Sequence, residues 1–520
     1  MGRPIFELDA QDAAGRLGRL TIPRAGLTVE TPALLPVVNP HLQLISPRTL
    51  AEEFGAEILI TNAYVFYQSD QYRDAVLDDG LHEVLDFPGA IMTDSGSFQL
   101  AEYGDIDVDT AEILAFQDEI GSDIATPVDI PTPPDASREH AETDLAETEN
   151  ALDVARDYPA GDMLQSAPIQ GSTYLDLRAR AAQSAIQSGL DVYPIGAVVP
   201  LLTTYRYAET VDIVAAAKRE LPESAPVHLF GAGHPMMFAL AVAIGCDLFD
   251  SAAYALYARE GRYLTATGTE ALDDLGYFPC ECPVCAESTP EQLRQAPRDE
   301  QAASLARHNL HVTFGEMRRV KQAIRDGTLL HLVEQRARSH PALLDGYRAL
   351  LAHETFLEAR DPTRSERPFF HLSTESAIRP EVTRHHDRLA RLAVPEHLSL
   401  VDRALLGDLP EEAPWHALEL SDVLAVNAVE IDDANEWWIA MPPFGPTPPT
   451  LLYSYPLTAE CPTRLDPAAY AAATEGINRL VNETAVAQLT LYHRSWPSRL
   501  IDRLSARIEA IQLGDQKASY

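Results

Sequence analysis

Val227-His228-Leu229-Phe230-Gly231-Ala232-Gly233-His234-Pro235, continuing through Met236–Ile244 to Cys246-Asp247-Leu248-Phe249-Asp250-Ser251, decides the fold. A short apolar run (Val227–Phe230) is followed by a helical candidate (Pro235–Ile244) and a second apolar run (Asp247–Phe249), the signature of one βαβ unit. The same rhythm extends outward. Runs at Glu57–Thr61, Ala90–Thr93, Ile124–Val128, Ser166–Ile169 and Val192–Ile195 alternate with helical candidates at Pro47–Phe54, Thr110–Ile120, Thr173–Gln187 and Glu209–Glu220. Ahead of them, Leu17–Ile22 and Leu27–Ala33 read as a strand pair turned at Arg24-Ala25-Gly26. Runs spaced by roughly 20–40 residues predict an α/β chain built on a (β/α)8 TIM barrel. A doubly wound open sheet competes, but it would carry a Gly-rich phosphate turn after its first strand, and neither G-x-G-x-x-G nor a P-loop is found.

Polar residues and glycines recur just past the runs: Asn62, Asp94-Ser95-Gly96, Asp129, Gln170-Gly171, Gly196, Gly231 and Asp250. A barrel gathers such positions on the face where catalysis is built; scattered loop polars are the blander reading. Helical stretches follow at Asp299–Asp326 and Leu329–Leu357. Beyond about Asp361 the rhythm changes, with a Pro-rich segment at Met441–Pro449 and an Arg-bearing helix expected over Ser498–Leu513.

With 520 residues, 46% hydrophobic and 23% charged, the chain can bury a sizeable core, which excludes wholesale disorder. The balance of 40 basic against 78 acidic residues gives a net charge of −38, and only Lys218, Lys321 and Lys517 are lysines. Acid excess with arginine in place of lysine reads as a surface adapted to molar salt, where self-repulsion is screened over about 3 Å. No basic stripe advertises nucleic acid. In molar salt, however, counterion release contributes little, so an RNA partner would be held by stacking, shape and hydroxyl contacts instead. No apolar run approaches the roughly 20 residues of a membrane span. Met1–Gly18 carries Glu7, Asp9 and Asp12 and no apolar signal core, so a cytoplasmic protein without membrane partners is expected.

Cys280-Glu281-Cys282-Pro283-Val284-Cys285 and His308 form a Cys3His set. Three thiolates in one hexapeptide can wrap a tetrahedral ion that a histidine from a following helix closes. Four protein ligands leave no open position, so one structural Zn2+ per chain is the natural reading, ahead of a catalytic zinc or free cysteines. His311, one turn on from His308, is the alternative fourth ligand.

Asp94, in Thr93-Asp94-Ser95-Gly96-Ser97-Phe98-Gln99, and Asp250 stand at strand ends that a barrel could set across one pocket. Two facing carboxylates suit chemistry at an anomeric carbon, one meeting C1′ and the other handling protons. Taken singly, such aspartates are also helix caps and loop anchors. Phe98 and Phe230 could sandwich a flat heterocycle whose edge Asp129 and Gln170 read; as single residues, both phenylalanines also suit a core.

In these residues the sequence resembles the tRNA-guanine transglycosylases, most closely the archaeal, archaeosine-forming branch. The matching pieces are Thr93–Gln99, Pro127-Val128-Asp129, Ile169-Gln170-Gly171-Ser172, Ile195–Pro200, Phe230-Gly231-Ala232-Gly233, Asp247–Ser251 and the Cys3His set, covering about residues 1–340. The resemblance implies a pentosyltransferase that exchanges guanine at position 15 of the tRNA D-loop for 7-cyano-7-deazaguanine (preQ0) through a covalent ribosyl-enzyme intermediate. It makes Asp250 the nucleophile and Asp94 the general acid/base. Asp129, Gln170, Phe98, Phe230, Ser95, Gly196, Val198, Val199 and Gly231 would bind the base, and Cys280, Cys282, Cys285 and His308 the zinc. Residues 1–350 would be the catalytic barrel, with an inserted zinc-binding subdomain at 276–312. Residues 351–520 would be a C-terminal α+β accessory region of one or two small domains, without the PUA module that archaeal relatives often carry. The family further implies a homodimer. Queuosine-type exchange in the anticodon, or a noncatalytic RNA-binding paralogue, are the rival readings; the retained Asp94 and Asp250 weigh against the second.

Overall fold

The amino-terminal segment folds as an antiparallel sheet of β1 (Phe6–Asp12), β2 (Gly15–Ile22) and β3 (Leu27–Thr31). Gly26, at φ 65°, closes the hairpin between the last two. The computed structural model describes residues 5–97, 108–406 and 436–513. The chain divides into two units, Met1–Phe356 and Leu357–Tyr520.

In the first unit eight parallel strands follow: β4 (Ala33–Val38), β5 (Ile58–Asn62), β6 (Ala90–Asp94), β7 (Ile124–Ala125), β8 (Leu164–Gln165), β9 (Tyr193–Ile195), β10 (Val227–Leu229) and β11 (Leu248–Ser251). Each pairs with its neighbour in chain order, and β11 returns to β4 through Leu248↔Ala33 to Ser251↔Pro36. Bridges Ser166↔Val192 and Ile169↔Ile195 join β8 to β9 and close the ring. The sheet is a (β/α)8 barrel. Its first strand is the one the sequence rhythm had run together with the hairpin: Pro32, which has no N–H to donate, separates β3 from β4. Pro168 likewise limits regular pairing after β8 to single bridges, so this strand lies earlier than the expected Ser166–Ile169.

Inward-facing Leu35, Ile58, Ile60, Met92, Ile124, Leu164, Val192 and Leu248 form one apolar cluster with Phe6, Leu20, Ile22 and Val29 of the antiparallel sheet. That sheet closes the end of the barrel where the strands begin. Arg24 donates to the carbonyl of Ser122 (3.0 Å), just before β7. The fully buried Arg16 donates to Ala225 O (2.9 Å) before β10 and to Asp247 Oδ1 (3.0 Å) before β11. The opposite end, where the strands finish, is left for the polar residues.

Some of the surrounding helices start behind side-chain caps. Ser46 accepts from Thr49 N ahead of Pro47–Phe54, and Asp109 from Glu112 N ahead of Thr110–Glu119. A helix absent from the sequence reading spans Arg138–Asp157 behind an N-capping Ser137. Its buried stripe includes Ala141, Thr148, Ala151 and Ala155, small residues that give little apolar periodicity to read.

After β11 come the hairpin β12 (Arg262–Thr265) and β13 (Gly268–Ala271), short helices at Pro283–Glu287 and Pro290–Gln295, and a long helix at Arg298–Asp326 that stops at left-handed Gly327. The expected helix Leu329–Leu357 is instead broken into Leu329–Ala337, Pro341–Ala352 and Glu354–Glu358, with Pro341 starting the second piece behind the cap His340.

The second unit holds a five-stranded sheet in the order β16-β15-β14-β17-β18, from β14 (His397–Asp402), β15 (Glu436–Met441), β16 (Gly445–Thr447), β17 (Gln488–His493) and β18 (Ile508–Gln512). Its helices include Pro380–Leu389 and Pro467–Glu483. The expected terminal helix over Ser498–Leu513 is not formed: only Ser498–Ile501 is helical, and Ile508–Gln512 pairs in parallel with β17. An isolated short helix gains little, whereas a strand satisfies the open edge of β17.

Candidate active site

The ends of the barrel strands carry an unusual concentration of carboxylates. Asp94 is the last residue of β6, and its Oδ1 accepts the N–H of Gly96 at 2.5 Å. Gly96 sits at φ 89°, and a Cβ there would lie 2.5 Å from Tyr64 Cβ, so only glycine permits this turn. Burial pushes the Asp94 carboxyl up to about 7, and the negative charges of Asp129 and Asp250 push in the same direction. The charges of Asp129 and Asp250 therefore reach Asp94, which is poised to hold or release a proton near neutrality.

Asp250 lies in β11 and is buried. Its Oδ1 takes two N–H donors, Gly231 N at 2.8 Å and His228 Nε2 at 2.9 Å. Asp129, after β7, is held by Ser97: its backbone N–H donates to Ser97 Oγ at 3.1 Å, and Ser97 Oγ meets Ser95 Oγ at 2.7 Å. The Asp129 carboxyl is raised by burial against the lowering effect of hydrogen bonds from Ser97 and Gln170. Gln170 donates through Nε2 to Asp129 Oδ2, while its Oε1 is buried with no hydrogen-bond partner among the described residues. An acceptor left open beside a carboxyl suits a ligand edge that presents N–H groups.

Glycine makes the next wall. A Cβ on Gly196 would lie 2.3 Å from Gln170 Nε2, so the backbone after β9 presses on the amide only because this residue has no side chain. Val198 is fully buried, and Val199 is partly exposed and packs against Gly231. Phe230 is partly exposed and meets the His228 ring edge-on at 4.6 Å. Phe98 lies outside the described residues.

The Cys3His set also comes together. Donor atoms of Cys280, Cys282, Cys285 and His308 lie within 4.8 Å of one another. His308 donates through Nε2 to Leu264 O at 2.8 Å, which leaves Nδ1 facing Cys285 Sγ at 3.3 Å and Cys282 Sγ at 3.5 Å. Tyr263 stacks on the His308 ring at 3.6 Å. Three sulfurs and one imidazole nitrogen with its other nitrogen anchored fit a tetrahedral metal ion. His311, the alternative ligand, lies instead with Nε2 3.4 Å from Glu53 and its ring tilted against Phe54 at 4.8 Å.

A family profile described as queuine tRNA-ribosyltransferase matches residues 11–342, the barrel and the metal-binding loop together. The chain belongs to this transglycosylase family. Among curated relatives, the tRNA-guanine(15) transglycosylase of Haloarcula marismortui is 58% identical over 513 residues, 99% of each chain. That of Haloferax volcanii is 58% identical over 98% of this chain and 94% of its own. That of Methanosarcina mazei is 46% identical over 98% of both. The transglycosylase likeness therefore runs through both units.

Within this family member the structure adds residues that sequence reasoning passed over. His228 touches Asp250, and a lone histidine inside an apolar, buried strand was the available signal. Ser97 holds Asp129. Arg178, fully buried, donates to Ile169 O and Ser172 O, both at 2.7 Å, and so clamps the loop that carries Gln170.

Proposed function

We propose that this chain exchanges guanine at position 15 of tRNA for 7-cyano-7-deazaguanine, a step toward archaeosine. The observation that carries the reading is the convergence of Asp94, Asp129 and Asp250 at the mouth of a barrel belonging to the transglycosylase family. Similarity to position-15 enzymes over nearly the whole chain favours the D-loop over the anticodon as the target.

In this reading Phe230, with Phe98, stacks the purine, and Asp129 and Gln170 take its N–H edge. Ser95 supports them through Ser97, and Gly196, Val198, Val199 and Gly231 line the slot. The Asp250 carboxylate attacks C1′ as the C1′–N9 bond breaks, and the bonding pair leaves with guanine, which takes a proton from Asp94. The deazaguanine then enters the vacated slot, gives a proton to Asp94, and attacks C1′ to release Asp250. Two displacements at one carbon retain configuration. Expelling the base from the tRNA core costs a few kcal/mol, which stacking and edge contacts must return.

Zinc is the ion we assign to Cys280, Cys282, Cys285 and His308. With all four positions filled by protein, it would tie the loop and short helix carrying Cys280, Cys282 and Cys285 to the long helix carrying His308 and take no part in the exchange. Residues 1–350 act as the catalytic domain, the metal-binding part spanning 276–312, and 351–520 as an accessory region. We assign the protein to the cytoplasm as a homodimer; among the described residues no helix is long and apolar enough to cross a membrane.

The test is incubation with unmodified tRNA and radiolabelled guanine or 7-cyano-7-deazaguanine, followed by mapping of the labelled nucleotide. Label at position 15 supports the reading. Label at the anticodon points to queuosine-type exchange, and no incorporation points to an RNA-binding paralogue.

A further inference from the structure

We infer that His228 is a positioning residue that selects which oxygen of Asp250 meets the ribose. The inference rests on the transglycosylase reading and adds a residue to it.

His228 is fully buried in β10, one strand over from Asp250 in β11. A carboxylate can only accept, so the 2.9 Å contact fixes the proton on Nε2, donating to Oδ1. The Gly231 N–H reaches the same oxygen at 2.8 Å. Two donors converge on Oδ1, and none is directed at Oδ2 among the described hydrogen bonds. Nδ1 of His228 is buried without a hydrogen-bond partner among the described residues. A doubly protonated ring would leave an N–H unsatisfied there, so the neutral tautomer with its proton on Nε2 is the form the site fits.

The consequence is chemical. An oxygen that already accepts two hydrogen bonds is a poorer nucleophile than its unbonded twin, so Oδ2 forms the bond to C1′ while the C1′–N9 pair departs with guanine. In the resulting ester, Oδ1 becomes the carbonyl oxygen and keeps both donors, so the pair need not reorganise during the step. In the second displacement the same donors receive the returning carboxylate charge. The edge-on contact of the His228 ring with Phe230 ties this orientation to the neighbouring aromatic wall.

A matched pair of variants tests this: His228→Gln, whose amide N–H reaches about as far as Nε2, and His228→Met, similar in shape but without a donor. Both are compared with the wild-type chain for formation of the denaturant-resistant tRNA adduct, for kcat and KM of base exchange, and for thermal melting. His228→Met is expected to lower the adduct rate and kcat by about 10- to 100-fold with KM for the base changed by less than about 3-fold. His228→Gln should recover at least about a third of the wild-type rate. Wild-type rates in His228→Met, or equal impairment of both variants, would overturn the inference, the second result reducing His228 to a packing role. Should the methionine variant fail to fold, His228→Asn, whose amide is too short to reach Oδ1, replaces it with the same expectation. A wild-type chain that forms no adduct and exchanges no base would overturn the transglycosylase reading itself, a result distinct from any difference among variants.

Discussion

Asp94 and Asp250, at the ends of β6 and β11, lie close enough that the charge of Asp250 raises the affinity of Asp94 for its proton. Two strands of the ring, β4 and β5, separate them, so the barrel brings them together across its mouth. Their environments divide the labour. Asp250 is braced by two N–H donors, whereas Asp94 is desolvated and faces negative neighbours.

The first prediction concerns pH. Burial lifts Asp94 from the usual carboxyl value to about 7, so its proton-donating form is lost as pH rises through about 7. Single-turnover adduct formation should fall over that range. The same shift bears on stability: between about 4 and 7 the folded chain holds a proton that the unfolded chain has released, so stability declines across this window and the cost is complete above it. Asp94→Asn keeps an oxygen for Gly96 N–H and removes the charge. Its melting temperature should exceed wild type by a few degrees at pH 8 and by less at pH 4. An equal difference at both values would contradict the assignment.

The metal-binding loop gives the second prediction. Cys282→Ser should lower bound zinc from about one per chain and reduce the melting temperature by several degrees, as should chelation of the wild-type chain. Metal content measured by atomic absorption checks it; unchanged stoichiometry would count against the ligand set.

A third prediction follows from the closed end of the barrel. Arg16 and Asp247 are both fully buried, and Asp247 Oδ2 also accepts the Val227 N–H at 2.7 Å. Arg16→Met leaves a buried carboxylate unpaired and should cost about 3–5 kcal/mol in denaturant unfolding. A loss below about 1 kcal/mol would mean that water reaches the pair.

Much of this molecule was legible from residue pattern. The strand runs ending in Asn62, Asp94 and Asp250 mark the barrel and the face where its polar groups meet, because buried parallel strands read as apolar runs with abrupt polar ends. The Cys3His set was legible because thiolate spacing carries its own geometry. Other features were hidden for physical reasons. β4 was masked by Pro32, which interrupts pairing but not hydrophobicity. The Arg138–Asp157 helix buries mostly small side chains, and β18 forms only because β17 offers an edge, which no local pattern records. His228 looked like an ordinary strand residue, since its role depends on a partner in the next strand.

Salt dependence is the fourth prediction. With a net charge of −38, dilution from molar salt restores self-repulsion over a longer range. The melting temperature should drop on transfer from about 2 M to 0.1 M salt, with aggregation or unfolding below that. Equal stability in both would remove the halophilic reading of the surface.

In the proposed exchange a sugar is briefly bonded to Asp250. The most direct measurement is recovery of a denaturant-resistant protein–tRNA adduct, mapped by mass spectrometry to both the peptide and the nucleotide. The adduct is expected on Asp250 and at position 15, and should be lost in Asp250→Ala together with a fall in base exchange of about 10³-fold or more. An adduct that survives Asp250→Ala, or exchange that proceeds at the wild-type rate without it, would rule out Asp250 as the nucleophile.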